Sequence, residues 1–289
     1  MGDKIFVVVV TYNGQKWIKQ CLESVKKIDV PFEVVIVDNL SSDQTIRIIK
    51  EDFPEYTLLA LDSNLGFGKA NNLGIQKALD SGATYIFLLN QDAYFFEGSL
   101  QKVLNGTARI ENLGIISPIH FANEDGVLDF QFKNYVQDYF GSDFLIDFEK
   151  KELKNFYHSQ FINAAAWLIP SAVIRKVGLF HPVFDHYGED EEYVNRIKHQ
   201  GLQVYISSEF SIIHDRPQSR GQSIFFLPQK ILTRKLLIDK LKGKKNGAIK
   251  VFIQYLRLAL KSIKRKDSSN FADCIKEYFN FLKKKRSLG

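Results

Sequence analysis

Apolar runs alternate with amphipathic stretches along the first hundred residues of the chain. Four of these runs predict buried strands, namely IFVVVVTY at 5–12, FEVVIVDN at 32–39, YTLLALD at 56–62 and TYIFLLN at 84–90. The stretches between them have helical periodicity, which predicts helices over 15–27, after residue 45 and within 66–82. Strands that are apolar on both faces and separated by helices are typical of a parallel α/β sheet.

The pattern is less regular beyond residue 114. Residues 114–130 predict short strands around turns, and the aromatic-rich segment 138–151 predicts a loop or a hairpin. The signals after this segment are clearer. They predict a strand and a short helix over 162–178, a helix over 191–201 and a strand over 202–214.

Each of the first four predicted strands ends in polar residues. Ligands of parallel α/β sheets bind at the carboxyl ends of the strands. Because these ends lie along one edge of the sheet, the four polar clusters predict one binding site. The clusters are Thr11-Tyr12-Asn13, Asp38-Asn39, Asp62-Ser63-Asn64 and Asn90-Gln91-Asp92.

Some of these residues have both a chemical and a structural interpretation. Asp38 ends a strand, where its carboxylate can accept a hydrogen bond from a base N–H or a ribose hydroxyl. Asp92 offers the oxygen ligand that Mg²⁺ or Mn²⁺ prefers, or else it is the solvated acid of a turn. Gly66 and Gly68 precede a predicted helix and suit a phosphate loop, although Asn71 breaks the dinucleotide pattern G-x-G-x-x-G.

Two later stretches also carry ionisable groups. Residues 189–192 are four consecutive acids at a predicted helix start, where the helix dipole favours acids and where one carboxylate could act as a general base. His214 ends a predicted strand beside Asp215, Arg216 and Arg220. A lone histidine is more often structural than a ligand, but the neighbouring cations suit an anionic ligand.

Charge divides the chain into two regions. Residues 230–289 contain 18 lysines and arginines against 4 acidic residues, whereas residues 1–229 contain 21 against 29. Within the basic region, residues 249–266 and 271–287 predict amphipathic helices, which either pack on the remainder of the protein or face a membrane. An excess of positive charge suits an anionic membrane, a nucleic acid or an acidic partner.

Seven segments, taken in order, resemble the family 2 glycosyltransferases, enzymes of the GT-A fold that use nucleotide-sugar donors. The resemblance runs from Ile5 to about Arg220 and is greatest for the bacterial rhamnosyltransferase-type members that build surface polysaccharides. The segments are VVVVTYNG, VIVDNLSSDQT, NLGFGKANNLG, LLNQDAYF, NAAAWLIPSAVIRKVGLF, YGEDEEYVNRIKHQG and IIHDRPQS.

The fold that this resemblance implies is α/β, with a GT-A-type, Rossmann-like sheet flanked by helices and followed by a C-terminal helical extension. The catalytic domain is expected over 1–222. Within it, residues 1–114 would mainly bind the donor nucleotide, and residues 115–222 would mainly form the acceptor side and hold the catalytic base. Residues 223–289 would form the basic amphipathic extension.

The resemblance also implies roles for single residues. Asp190 matches the catalytic base of the family. Asp92 matches the last acid of the metal-binding DxD motif, in which Asn90 here replaces the first acid, and His214 matches a histidine that completes the metal shell in some members. The implied ion is Mg²⁺ or Mn²⁺. The residues implied at the donor nucleotide are Thr11, Tyr12, Asn13, Asp38, Asn64, Gly66, Phe67, Lys69, Asn72, Asn90 and Gln91.

The implied reaction is a single, inverting displacement. Asp190 would deprotonate a hydroxyl of a glycan or lipid-linked acceptor while a nucleoside diphosphate leaves a UDP- or dTDP-linked sugar, either rhamnose or another hexose. No apolar run approaches the roughly 20 residues of a membrane span, so a cytoplasmic protein is expected. The basic extension would touch the inner face of the cytoplasmic membrane or form a homodimer, and nucleic acid is not expected as a partner.

Two other classes of function stay open on the residues alone. A nucleotidyltransferase-like enzyme would share the sheet, the metal acids and the basic region, but TYNGQKW at 11–17 matches its glycine- and lysine-rich nucleotide loop poorly. A non-catalytic protein that binds nucleotide or nucleic acid would suit the basic extension. No recognisable motif supports this second alternative.

Overall fold

A computed structural model describes residues 2–137, 143–182, 184, 188–216, 253 and 256. Almost all of the predicted extension over 223–289, and Arg220 with it, lies outside these residues. Among the described residues, no helix is long and apolar enough to cross a membrane.

The first four strands form the parallel part of the sheet. The pattern of their buried residues explains why, since β1 is buried along nearly its whole length and pairs with a parallel neighbour on each side. This confirms the predicted parallel α/β arrangement. The strands are β1 (Ile5–Thr11), β2 (Phe32–Asp38), β3 (Thr57–Ala60) and β4 (Tyr85–Asn90), in the order β3-β2-β1-β4, and the helices between them are α1 (Ile18–Val25), α2 (Thr45–Asp52) and α3 (Phe67–Asp80).

The remaining strands extend the same sheet with mixed directions. The order beyond β4 is β8-β6-β9-β5, and β7 also pairs with β9. The five strands are β5 (Ala93–Gly98), β6 (Leu113–Phe121), β7 (Phe156–Ser159), β8 (Ala166–Pro170) and β9 (Gln203–His214). The helices of this part are α4 (Leu100–Thr107), α5 (Phe130–Gln137), α6 (Phe144–Lys150), α7 (Ser171–Val177) and α8 (Glu189–His199).

The alternating side chains of β1 connect two separate hydrophobic layers. Val7 and Val9 lie in the layer that includes α1 and α4, whereas Phe6 and Val8 lie in the layer that includes α3, α7 and α8. Helix α3 approaches the sheet especially closely, because a Cβ added to Gly74 would lie 2.4 Å from Cγ1 of Val8. The glycine therefore lets α3 rest on β1, with its first turn held at the polar edge of the sheet.

The prediction of a loop or hairpin over 138–151 is wrong for residues 144–150, which form α6. Phe144 and Phe148 lie one helical turn apart with their rings stacked, and Phe144 packs against Phe132 of α5. These contacts belong to a third apolar cluster formed by α5, α6 and residues of β6, β7 and β9. The helix is stabilised by tertiary packing of aromatic residues, which the local pattern did not disclose.

One continuous sheet crosses the predicted boundary at residue 114. The division into a donor part and an acceptor part is therefore a prediction about roles and not about separate folding units. The predicted strand and helix over 162–178, the helix over 191–201 and the strand over 202–214 are confirmed as β8, α7, α8 and β9. The sequence pattern did not predict β5, β7, α4 or α5.

Candidate active site

A buried carboxylate lies at the end of β2. Asp38 is fully buried, and its Oδ2 accepts a hydrogen bond from the Ser41 N–H at 2.9 Å. Its Oδ1 is also buried and accepts no hydrogen bond within the described chain. An unpaired buried carboxylate oxygen is costly unless a ligand supplies a donor. Asp38 thus presents an acceptor suited to a base or ribose hydrogen, and its contact with either is still a prediction.

The polar residues at the ends of β1 and β4 bond mainly to one another. Gln91 Oε1 accepts hydrogen bonds from Thr11 Oγ1 at 2.6 Å and from the Tyr12 N–H at 2.9 Å, and its Nε2 donates to Tyr12 O at 3.2 Å. Thr11 and Gln91 therefore hold the backbone of the loop. The ring of Tyr12 is half-exposed, one residue beyond the Thr11–Asp38 pair of the ladder, where it can contact a ligand.

Asn13 and Asn64 also shape loops at this edge. Asn13 has a left-handed backbone, with φ at 47°, and its Oδ1 accepts from the Ser42 N–H at 2.8 Å. Asn64 Oδ1 accepts from Asn39 Nδ2 and from the Gly66 N–H, both at 2.9 Å. These contacts position the loops after β2 and β3 around Asp38. Direct contact of either side chain with a donor remains a prediction.

Residues 64–69, called the donor loop because donor contacts are predicted for them, include the first turn of α3 and lie against the start of α8. Asn72 holds the backbone of Phe180 with both ends of its amide, at 2.8 and 2.9 Å, so its side chain positions a protein segment. The rings of Phe67 and Phe180 meet edge to face at 6.0 Å. A Cβ on Gly68 would lie only 3.2 Å from Cβ of Phe180 and 3.5 Å from Cβ of Glu189. Lys69 belongs to the same turn, and its predicted contact with the donor is untested.

Asp92 and His214 come together where β4 passes into β5. Asp92 Oδ1 lies 3.4 Å from His214 Nε2, and the Asp92 carbonyl accepts from the Asp215 N–H at 2.8 Å. Two atoms bound to one divalent ion at about 2.1 Å are roughly 3.0–3.4 Å apart, so these two residues fit a shared ion. The described residues contain no group of three or more His, Cys, Asp or Glu placed to hold a metal. Water and diphosphate oxygens would have to complete the shell.

A second buried histidine lies behind this pair. The rings of His120 and His214 meet edge to face, with centroids 6.1 Å apart. A 3.0 Å hydrogen bond joins His120 Nε2 and Ser117 Oγ. Burial, and after it the charge of His214, lowers the pKa of His120 well below its usual value. Nδ1 of each ring is buried without a partner in the described structure. His120 was not predicted, because nothing in the apolar run of β6 distinguishes it.

Asp190 lies in the first turn of α8, and its Oδ1 accepts from the Glu191 N–H at 2.8 Å. Burial raises the pKa of Tyr135 in α5, and the negative charge of Asp190 raises it further. The positive charge of Arg216 acts in the opposite direction and lowers it. Glu189, the residue before Asp190, lies against Gly68, which brings the start of α8 beside the first turn of α3. The acids beside Asp190 differ in role, because Glu192 is buried and forms two hydrogen bonds with Arg196 at 2.7 and 2.8 Å.

The charged residues after His214 are engaged with the protein. Asp215 accepts from Lys16 Nζ at 3.0 Å and Trp17 Nε1 at 2.8 Å. Arg216 forms a two-pronged contact with buried Asp129, in which its Nε lies 3.0 Å from Oδ2. Arg216 was one of the cations near His214 expected to suit an anionic ligand. In the structure it contacts a protein carboxylate instead. Asp129 lies 87 residues away, so no spacing could reveal it.

Residues 6–178 match the family model described as Glycosyl transferase family 2. The chain belongs to glycosyl transferase family 2. Asp38, Asp92 and the donor loop of α3 fall within the matched part, whereas Asp190 and His214 follow it. Membership confirms the resemblance on which the site residues were predicted, but the role of each residue is still a prediction.

Two curated relatives cover parts of this family 2 chain. It is 34% identical over 104 residues to the poly(ribitol-phosphate) beta-N-acetylglucosaminyltransferase TarS of Staphylococcus aureus, which is 34% of this chain and 18% of TarS. It is 29% identical over 128 residues to the N-acetylglucosaminyl-diphospho-decaprenol L-rhamnosyltransferase of Mycobacterium tuberculosis, which is 41% of this chain and 42% of that enzyme. The chain thus spans less than half of either relative.

Solved structures confirm the GT-A-type fold of this family 2 protein. The structure of GalNAc-T7 with UDP, GalNAc and Mn²⁺ matches with a TM-score of 0.60 and 16% identity, over 83% of this chain and 50% of that one. S. aureus TarS 1–349 in complex with UDP matches with a TM-score of 0.55 and 17% identity, over 96% and 91%.

The Asp129–Arg216 pair predicts a pH-dependent stability. Burial alone would raise the pKa of Asp129, but the hydrogen bonds and charge of Arg216 outweigh it and lower the pKa to about 2. A lowered carboxyl pKa contributes stability above its unfolded value of 3.8, and this stability is lost as pH falls toward 2. We expect Asp129→Asn to lose roughly 1–2 kcal/mol of unfolding free energy at pH 5, with the difference shrinking between pH 4 and pH 2.

Urea unfolding at pH 5, 4, 3 and 2 measures this difference. Asp125→Asn, at an exposed position nearby, is the matched control and should follow the wild type at every pH. A stability loss in Asp129→Asn that stays constant over this range would contradict the assigned ion pair.

Proposed function

We propose that the protein is an inverting glycosyltransferase. It moves a sugar from a UDP- or dTDP-linked donor to a hydroxyl of a glycan or lipid-linked acceptor in cell-surface polysaccharide synthesis. The observation that supports the proposal is the Asp92–His214 pair, at the sheet edge where Asp38 Oδ1 is buried without a partner among the described residues. Asp190, the third group, follows Glu189, which lies against Gly68 at the start of α3. Family membership favours this reaction over the nucleotidyltransferase and non-catalytic alternatives.

The three groups suit the three parts of a donor complex. The buried oxygen of Asp38 would accept a hydrogen from the base or ribose, with the exposed ring of Tyr12 beside it. Asp92 Oδ1 and His214 Nε2 would hold Mg²⁺ or Mn²⁺, since an oxygen and a nitrogen 3.4 Å apart fit one ion. Bound there, the ion would stabilise the negative charge that develops on the leaving diphosphate.

Asp190 would accept the proton of the acceptor hydroxyl. Its position in the first turn of α8 leaves it half-buried, and the contact of Gly68 with Glu189 brings this turn against the donor loop. Attack from the face opposite the leaving group inverts the anomeric configuration. Glu192 has no part in this chemistry, because its carboxylate is held by Arg196, which also binds the carbonyls of Val177 and Leu179.

Asp190→Asn is expected to slow donor turnover by about 10²–10⁴-fold, because the amide cannot accept the acceptor proton. The substitution keeps an oxygen for the Glu191 N–H, so UDP or dTDP should bind as in the wild type. Release of nucleoside diphosphate over a panel of UDP- and dTDP-sugars, with Mn²⁺ present, measures the change.

The matched control is Glu191→Gln, the neighbouring acid in the same helical turn. It should retain turnover within a few-fold of the wild type. Wild-type turnover in Asp190→Asn, or an equal loss in both variants, would remove Asp190 from the role of base.

The basic extension is proposed to bind the inner face of the cytoplasmic membrane. Each lysine or arginine near an anionic surface contributes about 1 kcal/mol, and residues 230–289 carry an excess of 14 positive charges. A lipid-linked acceptor would make this contact useful. A homodimer through the extension remains an alternative prediction, to be checked by the oligomeric state in solution.

Flotation with liposomes of neutral or anionic phospholipid tests the membrane contact. At low salt we expect the protein to float with anionic vesicles, and we expect replacement of Lys283, Lys284, Lys285 and Arg286 by glutamine to weaken flotation several-fold. The control replaces four exposed lysines of the catalytic part, Lys27, Lys50, Lys77 and Lys133. Absence of flotation in the wild type, or equal loss in both variants, would contradict the proposal.

A further inference from the structure

Asn163 carries a buried polar atom that the protein does not satisfy. Its Oδ1 is buried and accepts no hydrogen bond in the described structure, whereas the residue as a whole is part-exposed. Its neighbours Ile162, Ala164 and Ala165 are apolar and buried. The large majority of buried side-chain polar atoms in folded proteins have a partner, so an unpaired one calls for a physical explanation.

Other asparagines of this protein form the hydrogen bonds that are expected of a structural side chain. Asn13, Asn39 and Asn72 each accept a hydrogen bond from a backbone N–H at 2.8–2.9 Å. Asn71 donates to the carbonyl one helical turn earlier. Asn163 makes no comparable contact with a described residue, so the usual structural role of an asparagine in a turn does not account for it.

Contacts of two neighbouring residues place Asn163 in the fold. On one side, the Asn90 N–H donates to Ala165 O at 2.9 Å, which continues the β4–β8 ladder to the turn that carries Asp92. On the other side, the ring of Phe161 packs edge to face on the ring of Tyr135, with centroids 5.0 Å apart. The charge of Asp190 helps to raise the pKa of this tyrosine. Asn163 therefore lies midway between these two contacts, two residues from Phe161 and two from Ala165.

The other unpaired atoms support the same location. Asp38 Oδ1, His214 Nδ1 and His120 Nδ1 are also buried and unpaired within the described residues, and all three belong to the polar edge of the sheet. Ser171 Oγ, which is unpaired as well, lies at the opposite end of β8, where the Ser171 N–H donates to Thr84 O. Unsatisfied polar atoms thus gather where a ligand would complete them.

We propose that Asn163 is a specificity-determining residue whose carboxamide hydrogen-bonds a hydroxyl of the transferred sugar. The inference rests on the proposed function, which requires the sugar to lie between a diphosphate at Asp92 and an acceptor oxygen at Asp190. A carboxamide suits a hydroxyl, because each can both donate and accept a hydrogen bond. A buried polar group of this kind rejects sugars that lack the matching hydroxyl, since it would stay unpaired.

The test compares the dissociation constants of UDP and dTDP with those of UDP-GlcNAc, UDP-glucose, UDP-galactose and dTDP-rhamnose, by calorimetry of the full chain with Mn²⁺. The informative pair is the sugar nucleotide that binds the wild type most tightly and its own free nucleotide. Asn163→Ala should weaken binding of the sugar nucleotide by about tenfold, as expected for one lost hydrogen bond. Binding of the free nucleotide should stay within twofold of the wild type.

Two further variants keep the result interpretable. Asn163→Asp conserves shape but loses the two N–H donors, so it should weaken binding of the sugar nucleotide by at least tenfold. Its added charge near the diphosphate should also weaken binding of the free nucleotide, but by a smaller factor. Ser171→Ala removes an equally buried, unpaired atom outside the site and should change neither constant. A deoxy donor that lacks the recognised hydroxyl should bind the wild type and Asn163→Ala equally.

An equal effect of Asn163→Ala on the free nucleotide and the sugar nucleotide, or no effect on either, would overturn the role of Asn163. These outcomes differ from failure of the proposed function, which would show as a wild-type protein that binds neither UDP nor dTDP.

Discussion

Ala93 pairs with His214 where β5 meets β9, and the candidate site depends on this register. The chain leaves the parallel half of the sheet at the end of β4, turns through Gln91 and Asp92, and at once enters an antiparallel ladder with the end of β9. Asp92 is thereby placed beside a histidine that is 122 positions later in the chain. A shift of one residue in this ladder would turn His214 to the other face of the sheet and separate the pair.

The same edge combines firm support with unsatisfied groups. Gln91, Asn39 and Asn72 use their amides to fix loop backbones, and Asp215 binds Lys16 and Trp17, so the N-terminal loop and the end of β9 are held together. Side chains such as Asp38 and His214 at this edge keep polar atoms that have no partner among the described residues. Preorganisation by one set of polar residues leaves another set ready for a ligand.

Much of this arrangement could be predicted, because the information was local. The strands β1 to β4 are recognisable in the sequence as continuous apolar runs. The polar residues at their ends must lie along one edge if the sheet is parallel. The resemblance added Asp190, which is one of four consecutive acids that any helix start would favour. What could not be predicted depends on distant partners. Asp129 meets Arg216 across 87 positions, and α6 exists because aromatic rings pack against a neighbouring helix.

The structure also changes how some predicted residues are understood. Thr11, Gln91 and Asn72 match the family pattern, yet their described hydrogen bonds are made to the protein itself. A residue that matches the family pattern can thus act by positioning a loop of the protein. Asn163 is a different case, since it opens the matching segment NAAAWLIPSAVIRKVGLF but no role was predicted for it from the sequence.

The most direct test of a metal-assisted nucleotide site at this edge is calorimetric titration of the wild type and Asp92→Ala with UDP and dTDP, with and without Mn²⁺. Binding of one nucleotide that requires the ion and is lost in Asp92→Ala is the predicted result. An Asp80→Ala control, altered at an exposed position at the far end of α3, should bind as the wild type does. Equal binding without the ion, or full binding in Asp92→Ala, would contradict the account.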